Sequence, residues 1–194
     1  MFQSRAIRTL MFLAAAMFLG AVLLLMMSTA PIRVETPPAF SAETVPLSRQ
    51  VVMDQLAVPL QVEKWRHVVV GSHVPDAPGI WQQCHFVIET DSRGQVQVRS
   101  TPLWRSQQAG RYSSVPGHDY NMDGIGISLG GDFDQQAPTP AQMDALVALV
   151  RELQTTCHID QDRVYLYREL SGSPRPGAKF YAGDFHSLVR RLDR

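Results

Sequence analysis

The apolar residues divide the chain into three regimes. From Leu10 to Met27 they form an unbroken run, prolonged by Ser28, Thr29 and Ala30 and preceded by Arg5 and Arg8. A run of about 18 or more apolar residues can cross a bilayer as a helix, and basic residues ahead of it hold that end in the cytoplasm. Residues 1–9 are therefore expected to be a cytoplasmic n-region and 10–30 a transmembrane anchor. A cleaved signal sequence is the competing reading. Its apolar core normally spans only about 7–15 residues, and Pro31 directly follows the small residues that would form the cleavage site. The second regime, 31–60, is rich in Pro, Ser, Thr and Glu around Pro37-Pro38, the composition of an extended, solvated linker. Its end is blurred, because 51–62 alternates enough to form a first strand or a short helix.

The third regime, 61–194, has the shorter periods of a packed domain. His67-Val68-Val69-Val70 is a β-branched run bounded by Gly71-Ser72, which predicts a buried strand. The segments 84–89 and 95–98 predict a hairpin, with Gly94 supplying the left-handed turn position. The segment 104–123 is polar and glycine-bearing and reads as a functional loop. Strands follow at 125–129 and 164–167. Thr139 caps a predicted helix with Pro140 at its first position and Gln142 completing a capping box; Met143, Leu146, Val147, Val150 and Leu153 then form one apolar stripe. A terminal helix is predicted from Phe185 to Leu192, with Leu188, Val189 and Leu192 inward. Strands interleaved with one long helix give an α/β domain with a mixed central sheet flanked by helices.

Composition narrows the picture without redrawing it. The 194 residues carry 18 Lys+Arg against 18 Asp+Glu, so nothing attracts nucleic acid electrostatically. Cys84 and Cys157 would face an oxidising compartment under the predicted topology, but their spacing does not show proximity, and two separate buried thiols is the favoured reading. The absence of a CxxC motif excludes a cysteine-rich zinc site.

A series of collinear motifs carries a resemblance. Trp65-x-x-Val68-Val69-Val70-Gly71-Ser72-His73 is similar to a strand in which Trp precedes an apolar run ending in His-His-Ser. Cys84-His85-Phe86-Val87-Ile88 is similar to Tyr-His-Phe-x-Ile. Tyr120-Asn121-x-x-Gly124-Ile125-Gly126-Ile127 resembles Asn-x-x-Ser-Ile-Gly-Ile. The segment Pro138 to Leu146 resembles the start of a main helix. Tyr167-Arg168-Glu169 and Arg175-Pro176-Gly177-x-x-Phe180 stand for His-Arg-Asp and Cys-Pro-Gly-x-x-Phe. Together these resemble the zinc-dependent N-acetylmuramoyl-L-alanine amidases of the peptidoglycan-recognition fold, over roughly Trp65 to Phe180.

The resemblance implies a zinc ion held by two His and a Cys or Asp, activating water against the amide between muramic acid and L-alanine. Carried over residue by residue, the ligand positions fall on Gly71, which has no side chain, on Tyr167, a poor zinc ligand at neutral pH, and on Arg175, a permanent cation. Two supporting positions fall on Cys84 and Ser173. No cofactor is therefore expected, although zinc belongs to the family. Candidate groove residues are His73, His85, Arg111, Tyr112, His118, Asn121, Asp123 and Arg175. Arg111 is suited to forking onto a stem-peptide carboxylate, and the Arg175 guanidinium is expected to fill the vacated metal position. His73, His85 and His118 are the three histidines from which a displaced metal site would be built, against the plainer reading of His73 as a loop histidine and His85 as a packed one. Trp65, Trp81 and Trp104 are expected in the core or groove wall. The expected function is a non-catalytic, membrane-tethered domain on the periplasmic side that binds peptidoglycan or a muropeptide. The alternatives are an active amidase with a displaced metal site, and an envelope protein-interaction module.

Overall fold

The computed structural model describes residues 52–112 and 115–190. The expected anchor (10–30) and residues 31–51 of the linker lie outside this range. Among the described residues no helix is long and apolar enough to cross a membrane.

Five strands form one sheet in the order β3-β2-β4-β1-β5: β1 (His67–His73), β2 (Phe86–Thr90), β3 (Val96–Ser100), β4 (Gly124–Gly130) and β5 (Val164–Leu166). β1 lies parallel to both β4 and β5, and β2 is parallel to β4 but antiparallel to β3, so the sheet is mixed as the sequence predicts. The β2–β3 turn has Gly94 at φ 78°. Asp91 Oδ1 accepts from the backbone N–H groups of Arg93 and Gln95 and fixes that turn.

One face of the sheet carries Val68, Val70, Phe86, Ile88, Ile125, Ile127 and Leu129, all buried in a single core. The long helix Pro140–Cys157 covers this face. Its capping box is formed: Thr139 Oγ1 accepts from Gln142 N at 3.2 Å, and Gln142 Oε1 accepts from Thr139 N at 3.0 Å. Gln142 Nε2 also donates to Gly130 O at 2.8 Å, so the cap ties the helix start to the end of β4. The buried face is wider than the predicted stripe, adding Ala145, Leu149 and Cys157. The helix Ala182–Arg190 packs against the long one through Phe185 and Val189, and the Arg151 guanidinium donates to Leu188 O at 2.6 Å.

Two boundaries differ from expectation. Trp104 lies in the short helix Pro102–Arg105 and is fully buried; its hydrophobic area outweighs the polar character of its neighbours, so the groove-side loop starts after it. The loop also ends early, because Tyr120–Asp123 forms a helical turn capped by Asp119, whose Oδ1 accepts from Asn121 N. The helices are hereafter α1 (Pro102–Arg105), α2 (Tyr120–Asp123), α3 (Pro140–Cys157), α4 (Tyr167–Ser171) and α5 (Ala182–Arg190). Residues 52–56 form a helical turn and Val62–Lys64 a 3-10 turn, so the blurred segment is helical rather than a strand. Trp65 is buried, its Nε1 donating to Gln107 Oε1 at 2.7 Å. Cys84 and Cys157 are separate, free and buried.

Candidate functional site

Side chains alternate across a strand. With Val68 and Val70 in the core under α3, the residues His67, Val69, Gly71 and His73 of β1 face the opposite side. Register places Gly71 beside Ser128 and His73 beside Gly130, so β4 presents Gly124, Gly126, Ser128 and Gly130 to that same side. These small residues leave room for a ring: a Cβ added to Gly126 would fall 2.3 Å from Tyr112 Cε1. Tyr112 thus lies flat on the glycine face of β4, and its hydroxyl donates to Tyr120 O at 2.9 Å. Its burial raises the phenol pKa well above the ordinary range.

Ligands of open α/β sheets bind beyond the carboxyl ends of the parallel strands, and a cavity of about 90 Å³ lies there. Gly71, Tyr167 and Arg175 converge on it, together with Cys84, Arg111 and Tyr112. A broader cleft of about 790 Å³ adjoins it across Ile80, bordered by Pro75–Gly79, Glu89, Arg99 and Gly130-Gly131. The frame around the convergence is firmly bonded. Arg168 N donates to Arg175 O at 2.8 Å, its guanidinium forks onto Gly177 O and Phe180 O at 2.9 and 3.0 Å, and Ser72 Oγ donates to Pro176 O at 2.9 Å. Gly177 has φ 130°, and a Cβ there would fall 2.5 Å from the backbone of Phe133, so the segment after Arg175 tolerates no other residue at this position.

The predicted groove residues separate into three groups. Arg111, Tyr112 and Arg175 line the smaller cavity. Arg111 and Arg175 are exposed, and neither guanidinium hydrogen-bonds among the described residues. Arg175 lines the cavity as an exposed residue, and no hydrogen bond among the described residues fixes its guanidinium at the metal position it is expected to fill. His73 and His85 are structural. His73 is a buried strand residue rather than a loop histidine, 2.9 Å from Ser128 Oγ and 3.3 Å from Glu89 Oε1. His85 accepts from Gly126 N through Nδ1 and donates from Nε2 to Gln108 O, both at 2.9 Å, leaving no nitrogen for a ligand. Burial drives its pKa down to about 4, so it is neutral near pH 7. His118, Asn121 and Asp123 lie at the other end of β4. The three histidines 73, 85 and 118 thus have disjoint partners and form no common site.

The sequence comparison decides the family. A family model described as N-acetylmuramoyl-L-alanine amidase matches residues 53–181, well over half of the chain. The chain belongs to the N-acetylmuramoyl-L-alanine amidase family. No curated protein sequence matches it. Among solved structures it is similar to the endolysin amidase LysCS from Clostridium intestinale, with 22% identity, a TM-score of 0.53, and coverage of 69% of this chain and 90% of that one. It is also similar to a selenomethionine derivative of AmpD (19%, TM-score 0.53, 66% and 86%) and to PlyL (15%, TM-score 0.52, 77% and 95%). Likeness at these identities supports the fold.

Whether the amidase-family zinc fits this chain is a question of donor chemistry. Catalytic zinc takes imidazole, thiolate or carboxylate donors. At the position where the resemblance places the ion, Gly71 offers no side chain, Tyr167 a half-buried phenol and Arg175 an exposed cation. Cys84, also on this cavity, has its thiol pKa pushed up to about 12 by burial, which suppresses the thiolate a metal needs. This donor set does not fit zinc.

A second cluster of this amidase-family domain lies at the amino end of β1. His67, His118 and Asp123 each direct one ligating atom to within 4.8 Å of the other two. His118 Nε2 is 3.0 Å from Asp123 Oδ1, and His67 Nε2 is 3.6 Å from Asp123 Oδ2. Arg66 N donates to Asp123 O at 2.8 Å, which brings the end of α2 against the start of β1. Sequence reading places His118 and Asp123 on a functional loop but misses His67, absorbed into a hydrophobic strand. A polar residue opening such a strand, in register with the residue after Asp123, is the signal that points to it.

Proposed function

We propose that this amidase-family domain binds peptidoglycan or its muropeptide fragments in the crevice at the carboxyl ends of β1, β4 and β5 without cleaving them. One observation carries this reading: the cavity where the family places its zinc is open, and it is lined by Gly71, Tyr167 and Arg175 instead of ligands. A water with no metal beside it keeps its ordinary acidity and is a poor nucleophile toward an amide. What the cavity does offer is recognition. Arg111 and Arg175 present two exposed guanidiniums to one small pocket, and each can form paired charged hydrogen bonds to a stem-peptide carboxylate. The adjoining cleft supplies the length for a sugar and further peptide residues, with Glu89, Gln97 and Arg99 as polar contacts.

The backbone of Gly110, Arg111 and Tyr112 is tied to the fold. Arg111 N donates to Gln83 O at 2.7 Å, Asn121 Oδ1 accepts from Tyr112 N at 2.9 Å, and Gly110 N donates to Asn121 O at 3.0 Å. Ordering before binding lowers the entropic cost of capture. The apolar segment 10–30, if retained as an anchor, would hold the domain on the periplasmic side, where its ligand is. The test is sedimentation of the full chain with insoluble peptidoglycan. Retention that is lost in the R111A/R175A double variant is the expected result. Equal retention of that variant would show that the groove is not the binding surface, and no retention of the parent chain would favour a protein partner.

A further inference from the structure

We propose that His67, His118 and Asp123 bind one divalent transition-metal ion of the zinc class, at the end of β1 opposite the family's zinc position. Two imidazoles and one carboxylate are borderline donors that suit Zn²⁺, Co²⁺ or Ni²⁺ better than Mg²⁺ or Ca²⁺, which take oxygen ligands. Donors around a tetrahedral zinc are spaced by about 3.3 Å, from metal–nitrogen bonds of about 2.0–2.1 Å. The contacts of 3.0 and 3.6 Å to the two oxygens of Asp123 already stand near that spacing. Small side-chain rotations about the exposed His118 would complete the convergence.

The nitrogen of His67 that faces Asp123 is also not engaged elsewhere. His67 has no hydrogen-bond partner for either ring nitrogen among the described residues: Nδ1 is buried and unpaired, and Nε2 stands 3.6 Å from Asp123, beyond hydrogen-bond distance. It is the Nε2 side, which faces Asp123 without bonding to it, that an ion would occupy; Nδ1 points away and takes no part. The ring is placed by packing instead, edge-on to His118 at 5.3 Å and Tyr120 at 5.1 Å and tilted against Tyr165 at 5.8 Å. These aromatic rings wall the site on the sheet side, while the half-exposed His118 leaves an entry and a fourth position for water.

The site stands apart from the groove. His67 and Gly71 are four residues apart on β1, about 13 Å along an extended strand, and Tyr112 lies on the glycine face of β4 alongside. The ion would act by clamping. Holding α2 and His118 to the start of β1 fixes Tyr120 O and Asn121, the partners of Tyr112 and Gly110. The loop bearing Arg111 and Tyr112 would thereby be ordered at the groove.

Titration of the full chain, in detergent and freed of metal, with Zn²⁺ and Co²⁺ tests this. One equivalent is expected to bind, with the visible absorption of low-symmetry Co²⁺ and slower amide exchange over 110–123 on addition of Zn²⁺. H118A, at an exposed position that leaves the core intact, is expected to weaken binding by roughly 100-fold and to remove both signatures, and D123N to weaken it similarly. H186A removes a histidine–carboxylate pair elsewhere, His186–Glu169 at 2.8 Å, and is expected to change nothing. Absence of stoichiometric binding, or binding unaffected by H118A, would overturn the proposal.

Discussion

The two ends of β1 hold opposite chemistry. At the carboxyl end the frame is firmly bonded: Arg168 forks onto two carbonyls, Ser72 donates to Pro176 O, and Gly177 passes tightly beside Phe133. Yet the side chains presented to the cavity are a phenol and a guanidinium beside a bare Gly71. At the amino end, where the family resemblance predicts no chemistry, two imidazoles and a carboxylate converge. Backbone framing and donor set are therefore separable properties. The first is specified by buried hydrogen bonds and close approaches throughout the domain, whereas the second rests on a few surface-facing positions that can change without unfolding the sheet.

The most severe challenge to this contrast is to rebuild the missing donors. A Cβ at Gly71 meets only Tyr167 Cβ, at 3.9 Å, an ordinary contact, so G71H/Y167H/R175D is expected to fold. It should bind a second equivalent of Zn²⁺, measured by metal analysis, beyond the one assigned to the amino end. Failure to gain it would mean that the frame has moved and not only the side chains. Next in size is the groove itself: R111A/R175A is expected to lower muropeptide affinity by roughly 10- to 100-fold in calorimetry, the scale of lost charged hydrogen bonds.

The glycine face of β4 joins the two ends, and G126A tests it. The new Cβ would overlap the Tyr112 ring at 2.3 Å, so the ring must leave its bed. A loss of about 1–3 kcal/mol in urea unfolding is expected, together with weaker groove binding.

Acid should act through the buried histidines. His85 is held near pKa 4 by burial against an ordinary 6.5, so the unfolded chain takes up a proton first as pH falls. Its contribution to stability is present above pH 6.5 and is lost between 6.5 and 4, by up to about 3 kcal/mol. His67 and His73 are lowered too, chiefly by burial, and add in the same sense. Urea midpoints at pH 7 and 4.5 measure this, and a midpoint that rises in acid would contradict it. The smallest effect concerns Cys84, with its thiol pushed up to about 12 and its Sγ–H donating to Ile80 O at 3.4 Å. Alkylation at pH 8 should be far slower than for a free thiol, although this residue lines the cavity.

Much of the fold was legible in the sequence because local rules and global packing agree there. Thr139, Pro140 and Gln142 announce the start of α3, Gly94 the hairpin turn, and the valines of β1 a buried strand. Where they disagree, reading fails: Trp104 and Tyr120 sit among polar neighbours, and only tertiary burial and the Asp119 cap draw them into helices. The groove was partly legible. Gly71, Tyr167 and Arg175 line one cavity, but whether a hydrogen bond holds the Arg175 guanidinium there depends on tertiary partners that no motif encodes. The roles of His73 and His85 depend on partners from β4 and the loop after α1. His67 was missed because three valines follow it and its partners lie 51 and 56 residues away, brought near only through the register of β1 with β4.

The central claim is a groove that binds without cutting. It is tested most directly by incubating the full chain, saturated with Zn²⁺, with insoluble peptidoglycan and quantifying newly exposed L-alanine amino groups while the protein is sedimented. Protein in the pellet and no new amino groups is the expected result. Release of L-alanine amino termini above the protein-free control would contradict it.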